Sequence, residues 1–261
     1  MIEFRNPHSI HPPGASTQIL SHPHWEGGSI ELGLFQDHRY AFFYWLKWNR
    51  ENRLVQPPCL VSLDWHQDLC YPEEIEQGWL NAIDLSDNGS IAEFTWSKLC
   101  GNNDNHILSA AYLNNLGNIY IHCKDPGSDL NWEDEELIDK YGNKHIIKKF
   151  KSYNNLEAHL IKSEEKAVFF DIDLDYFTID NPINGEGKEF TYVNDEEMFS
   201  QLSIQRPLIA WIFEKIEGFT IATEPSHTGG LLASNRLLEI INNLYFQPDI
   251  FTWECDWKHK K

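Results

Sequence analysis

Short apolar runs recur along the chain, each closed by polar or acidic positions, and between them lie longer stretches whose apolar residues return every three or four places. The runs predict strands over 58–64, 117–123, 167–173, 219–224 and 249–254. The longer stretches predict helices over 37–50, 104–115, 154–163, 195–217 with a break at Pro207, and 229–243. Strands alternating with helices imply a mainly parallel sheet between two helix layers, so the expected fold is α/β, a three-layer α/β/α arrangement. Two stretches rich in glycine and proline, 11–29 and 178–191, read as long loops, the second placed to wall a site. Neither a repeat nor a low-complexity tract divides the 261 residues, which are expected to form a single domain over 1–261.

Two of the apolar runs end in unusual chemistry. Leu60-Val61-Ser62-Leu63 leads into Asp64-Trp65-His66-Gln67-Asp68, and Ala167-Val168-Phe169-Phe170 leads into Asp171-Ile172-Asp173-Leu174-Asp175. The carboxyl ends of parallel strands are where open α/β sheets keep their active sites. Residues two apart on a strand share a face, so Asp64, His66 and Asp68 can converge, as can Asp171, Asp173 and Asp175. So many carboxylates packed together repel one another and lose solvation unless cations neutralise them. Hard oxygen donors with imidazole and no thiolate favour manganese over iron, cobalt or zinc. Taken singly, each motif also reads as a solvated loop start, a calcium-like loop or a set of helix caps. His38 is a third contributor by position, just ahead of the apolar helix that begins at Arg39, although a histidine there can equally be structural.

The formal charge of −19 excludes a nucleic-acid partner, which needs a basic face, and suits a cationic substrate. Part of that charge, Glu133-Asp134-Glu135-Glu136 and Asp195-Glu196-Glu197, reads as solvated helix starts. The five cysteines are odd in number and lack CxxC spacing, which predicts neither disulfides nor a zinc knuckle but a reducing environment. Met1 to His8 carries no apolar targeting segment and no run is long enough to span a bilayer, so no membrane partner and a cytoplasmic location are expected.

Gln36-Asp37-His38, Asp64-Trp65-His66-Gln67-Asp68 and Phe170-Asp171-Ile172-Asp173 resemble, in order, the Asp-His, Asp-x-His-x-Asp and Asp-x-Asp segments of the ureohydrolase superfamily of arginase and agmatinase. The fuller Leu63-to-Leu69 and Asp171-to-Phe177 stretches look like its divergent branch of peptide arginases, which turn arginine side chains of ribosomally made peptides into ornithine. The resemblance implies an arginase-like fold and a two-manganese hydrolase acting on an arginine-containing precursor peptide. It implies His38, Asp64, Asp68 and Asp171 on one metal and His66, Asp64, Asp171 and Asp173 on the other. Asp175 would then orient a histidine ligand or face the substrate; alternatively Asp173 and Asp175 take the roles given to Asp171 and Asp173.

Asp68 would also carry a proton to the leaving amine. Glu224, in Ala222-Thr223-Glu224-Pro225-Ser226-His227, resembles the glutamate that holds the guanidinium, an orientation a carboxylate can fix bidentately. Otherwise Glu224 caps the helix expected near Gly229, and His227 either shuttles protons or bonds the backbone. The asparagine and serine with which arginases clamp the α-carboxylate of free arginine have no equivalent after Asp68, which suits peptide-embedded arginine; Asn105 and His106 are the candidate substitute. Rival readings are a small-molecule amidinohydrolase, a deacetylase-like amide hydrolase, or a metal-stabilised binding protein without turnover.

Overall fold

A computed structural model describes residues 10–52, 56–124, 132–183 and 187–259; Met1 to His8, and part of the loop expected over 178–191, lie outside them. Its centre is an eight-stranded sheet with helices on both faces. The strands are β1 (Ser16–Ser21), β2 (Ser29–Phe35), β3 (Cys59–Asp64), β4 (Ile119–Cys123), β5 (Glu135–Ile138), β6 (Lys144–Phe150), β7 (Val168–Asp173) and, after the short pair β8 (Thr178–Asp180) and β9 (Thr191–Tyr192), β10 (Ile216–Ala222). Their order is β1-β2-β10-β7-β3-β4-β6-β5, parallel throughout except for the antiparallel edge strands β1 and β5.

The helices are α1 (Ala41–Asn52), α2 (Glu74–Ala82), α3 (Asn88–Ser97), α4 (His106–Tyr112), α5 (Tyr153–Leu160), α6 (Asp195–Leu202), α7 (Pro207–Lys215) and α8 (Leu231–Tyr245). Alternation along the central strands builds two cores. Val61 and Leu63 of β3 and Phe170 and Ile172 of β7 pack with α5 to α8, whereas Leu60 and Phe169 pack with α1, α3 and α4. By the same period Ser62, Asp64, Asp171 and Asp173 lie on the α1 face, toward the carboxyl ends of their strands. Helix α1 sits close on that face, since a Cβ at Gly33 of β2 would come within 2.9 Å of the Tyr44 ring. Trp48 approaches Gly218 of β10 in the same way.

Several expectations are corrected. Residues 249–254 form turns, not a strand: Asn242 on α8 bonds Asp249 (2.9 Å) and the Ile250 N–H (3.0 Å), and Phe251 takes a left-handed φ of 63°. The turns instead join a two-residue pair, β11 (Phe246–Gln247) and β12 (Asp256–Trp257). The stretch 11–29 is not all loop, because β1 pairs with β2 along its length. Nor do Glu133 to Glu136 start a helix. Glu135–Ile138 pairs with Lys144–Phe150, burying Leu137 and Ile147, while Lys148 and Lys149 bond Asp134 and Glu135. Charged edge strands of this kind resist further pairing. The helix expected over 195–217 does break at Pro207, which takes the first-turn position of α7, but it ends at Lys215 and gives way to β10 at Ile216. Among the described residues no helix is long and apolar enough to cross a membrane.

Candidate metal centre

Strand β7 lies between β3 and β10, so Asp171 faces Ser62 on one side and Thr220 on the other. Both hydroxyls donate to it, Ser62 Oγ to Oδ2 (2.8 Å) and Thr220 Oγ1 to Oδ1 (2.6 Å), and His38 Nε2 adds a third bond to Oδ2 (2.9 Å). Asp171 is thereby fully engaged behind the His38 ring. It joins none of the side-chain groups able to hold a metal among the described residues.

On the other edge of the ring, His38 Nδ1 meets Asp68 Oδ2 at 3.0 Å, Asp173 Oδ2 at 3.2 Å and Asp64 Oδ2 at 3.4 Å. One nitrogen cannot donate a proton to three carboxylates. Without a metal, burial would lower the His38 imidazole, yet Asp171 and Asp173 outweigh it and hold the ring above its usual range. With the Nε2 proton given to Asp171, a neutral His38 would present its Nδ1 lone pair to the space the carboxylates face, as in the carboxylate-histidine-metal arrangement of protein metal sites. A second group adjoins the first. His66 Nδ1 lies 3.3 Å from Asp175 Oδ2 and 3.9 Å from Asp64 Oδ1, so Asp64 belongs to both.

Backbone bonds hold the carboxylates in this pose. One oxygen each of Asp64, Asp173 and Asp175 accepts an N–H, from His66 (2.8 Å), Asp175 (3.1 Å) and Trp65 (3.1 Å), which leaves Oδ2 of each for the shared space. Among the described residues, Asp64 Oδ2 and Asp175 Oδ2 are buried with no donor beyond the approaches of His38 Nδ1 (3.4 Å) and His66 Nδ1 (3.3 Å). A buried, unpaired carboxylate oxygen is strongly unfavourable, and a cation satisfies it. These buried His/Asp clusters can therefore hold a metal ion.

The electrostatics agree. Burial, then the neighbouring carboxylates Asp68 and Asp175, hold Asp64 well above the usual carboxylate range. Burial, then Asp175 and Glu224, do the same to Asp173. Glu224 is pushed up to about 7 by burial and by Asp175. Burial would lower His66, yet Asp175, Asp64 and Asp68 carry it up to about 10. His106 and His227 are lowered by burial and by His38 and His66 respectively.

A raised acid and a raised imidazole act with one sign: the folded chain holds protons that the unfolded chain releases, so stability falls as pH rises. The lowered histidines oppose this only below their ordinary value of 6.5. Metal-free protein is therefore expected to melt at progressively lower temperature from pH 6.5 toward 10, the range set by His66, while Glu224 acts with the same sign between 4.5 and about 7. Added divalent metal replaces those protons and should abolish or reverse the slope. Thermal unfolding with and without a chelator measures it; a flat or rising melting temperature in chelated protein contradicts the account.

The remaining candidates surround the cluster. Glu224 follows β10 with φ of 31°, and its Oε1 accepts the His38 backbone N–H (3.0 Å) and Asn103 Nδ2. It does not cap α8, whose N-cap is Gly230 with no side-chain bond. His227 groups with Asp175 and Glu224, sets its ring edge-on to His66, and leaves Nδ1 buried without a partner. His106 packs between the His38 and Trp45 rings, bonds the Asn103 carbonyl through Nδ1 (2.9 Å), and leaves Nε2 unpaired. Asn105 turns away to Glu76 (3.0 Å). Sequence reasoning missed Ser62, Thr220 and Asn103. The first two were visible as lone hydroxyls in apolar strands, whereas Asn103 carries no pattern that marks it. No protein-family model matches the chain, and no curated protein matches it.

Proposed function

We propose that this centre holds two manganese ions and hydrolyses the guanidino group of arginine within a peptide, leaving ornithine and releasing urea. The observation that carries the reading is the sharing of Asp64 between two adjoining groups, each with one imidazole Nδ1 and a further aspartate, while Glu224 stands beside the second. In this reading the register is the later one. Asp173 takes the role first given to Asp171, Asp175 joins His66 as a ligand, and Asp171 orients His38. Oxygen-rich donors suit manganese.

When bound, the cations supply Lewis acidity and make a nucleophile available from water near neutral pH. The chain's own residues do the rest. Glu224 has Oε1 tied to the His38 N–H and Asn103 and offers Oε2 to the substrate, fixing the plane of the guanidinium. A cationic substrate and cations nearby favour its ionised form at neutral pH. Asp68, held in a left-handed backbone conformation (φ 50°), carries the most exposed carboxylate of the His38 group and passes a proton toward the departing amine. His227 Nδ1, with no partner among the described residues, is the outer proton carrier.

Manganese-loaded protein incubated with an arginine-containing peptide is expected to release urea and give the peptide mass of the ornithine product. Faster hydrolysis of free arginine or agmatine overturns the peptide assignment. Acetate release from acetyl-lysine peptides, with no urea from any substrate, overturns the reaction class.

A further inference from the structure

A cavity of about 440 Å³ opens beside the centre, lined among others by Tyr71, Glu73, Glu76, Trp79, Asp104 and Asn105. The segment 102–106 separates the two. Asn103 bonds Glu224 and the His106 ring lies 4.4 Å from that of His38, while Asn102, Asp104 and Asn105 line the cavity. The chain leaving Asp68 joins the same wall, where the Cys70 N–H donates to the Asp104 carbonyl (2.8 Å).

Three carboxylates line this space, and among the described residues no basic side chain does. Lys98, whose ammonium lies 5.5 Å from the centroid of the Trp79 ring, lines the adjoining cavity instead. An independent feature asks for a donor. Asn105 is 3% exposed, its Nδ2 is committed to Glu76 Oε1 (3.0 Å), and its Oδ1 is buried with no partner among the described residues. An amide oxygen withheld from water and from the chain is unfavourable unless a ligand's N–H satisfies it.

We propose that this cleft receives the residue flanking the reacting arginine and selects a lysine or arginine there. The peptide N–H is taken by Asn105 Oδ1, the cationic head by Asp104 and Glu73, and the aliphatic stem lies along Tyr71 and Trp79. The substrate's identity rests on the guanidino reading above; the charge preference of the cleft does not.

The test uses fluorescent peptides with one central arginine and a lysine moved through the other positions of an alanine parent, together with their ornithine product forms. Anisotropy on manganese-loaded protein reads binding, and mass spectrometry reads turnover. Lysine at one or two positions next to the arginine should tighten binding about tenfold. Asp104→Asn should remove most of that preference, and Asp104→Lys should shift it to glutamate at the same positions. Indifference to lysine at every position, or a preference unchanged in both variants, overturns the cleft. Urea release without any lysine preference removes the cleft and leaves the proposed function. A lysine preference without urea release upholds the cleft and removes the guanidino reading.

Discussion

Replacing Asp64 with alanine is expected to strip the protein of all bound manganese and reduce urea release to background. Each of the two groups contains this carboxylate, and both of its oxygens are placed by the fold: Oδ1 by the His66 N–H at 2.8 Å, Oδ2 at 3.4 Å from His38 Nδ1. Losing it leaves Asp173, Asp175 and Asp68 facing each other across the same buried space with one fewer anion but no shared ligand. Asp171→Asn should behave differently. Asparagine keeps the shape but, with one acceptor oxygen in place of two, cannot accept from both Ser62 and Thr220, and it removes the negative charge that holds the His38 Nε2 proton. Such outer partners of a ligating histidine are worth about 10–100-fold in metal affinity or activity. Asp171→Asn is therefore expected to bind metal more weakly and to recover activity at high manganese. Elemental analysis after dialysis at two manganese concentrations separates the outcomes. If the asparagine variant loses both metals as completely as Asp64→Ala, Asp171 is a shared ligand and the earlier register holds.

That contrast marks where the sequence stops being legible. The fold class follows from the alternation of apolar runs and amphipathic stretches, and β3 and β7 are unmistakable because buried apolar residues run straight into aspartates. Strand period then puts Asp171, Asp173 and Asp175 on one face and ranks them equally. The structure separates them because β7 ends at Asp173 and the chain curls into a short 3-10 turn, Leu174–Phe177, whose first bond runs from the Asp175 N–H to Asp173 Oδ1. Asp175 is thereby brought beside the β3 end, where the Trp65 N–H fixes it. No period along one strand encodes a bond to the next. The outer strands were hidden for another reason: β5 and β6 carry charges, and β1 uncharged polar residues, at exposed positions where a buried strand would be apolar. Asn103 shows the same limit, since its link to Glu224 spans 121 residues and depends wholly on how a loop folds back over the sheet.

Glu224→Gln is expected to leave metal content intact and lower turnover by about a hundredfold or more, the scale set by misplacing a reacting group. Glutamine fills the same volume, but the surroundings dictate which way its amide points. The His38 N–H and Asn103 Nδ2 both donate to the Oε1 position, so the amide oxygen must sit there and the amide nitrogen must take the Oε2 position. A donor then faces the guanidinium donors where an acceptor stood, and the lost charge is compounded by repulsion. Stability moves the other way. Because burial and Asp175 push the Glu224 carboxyl up to about 7, the ionised form that prevails above that pH costs the metal-free fold stability, and a neutral amide relieves it. Metal-free Glu224→Gln should therefore melt no lower than the parent at pH 8, whereas Glu224→Ala, which abandons the His38 N–H and Asn103, should melt lower. Metal content, melting temperature and urea release measured on one preparation decide the matter. A glutamine variant with parental turnover assigns Glu224 to holding the His38 loop and takes the guanidinium away from it; one with full metal, parental stability and little urea release leaves only the substrate contact to explain the loss.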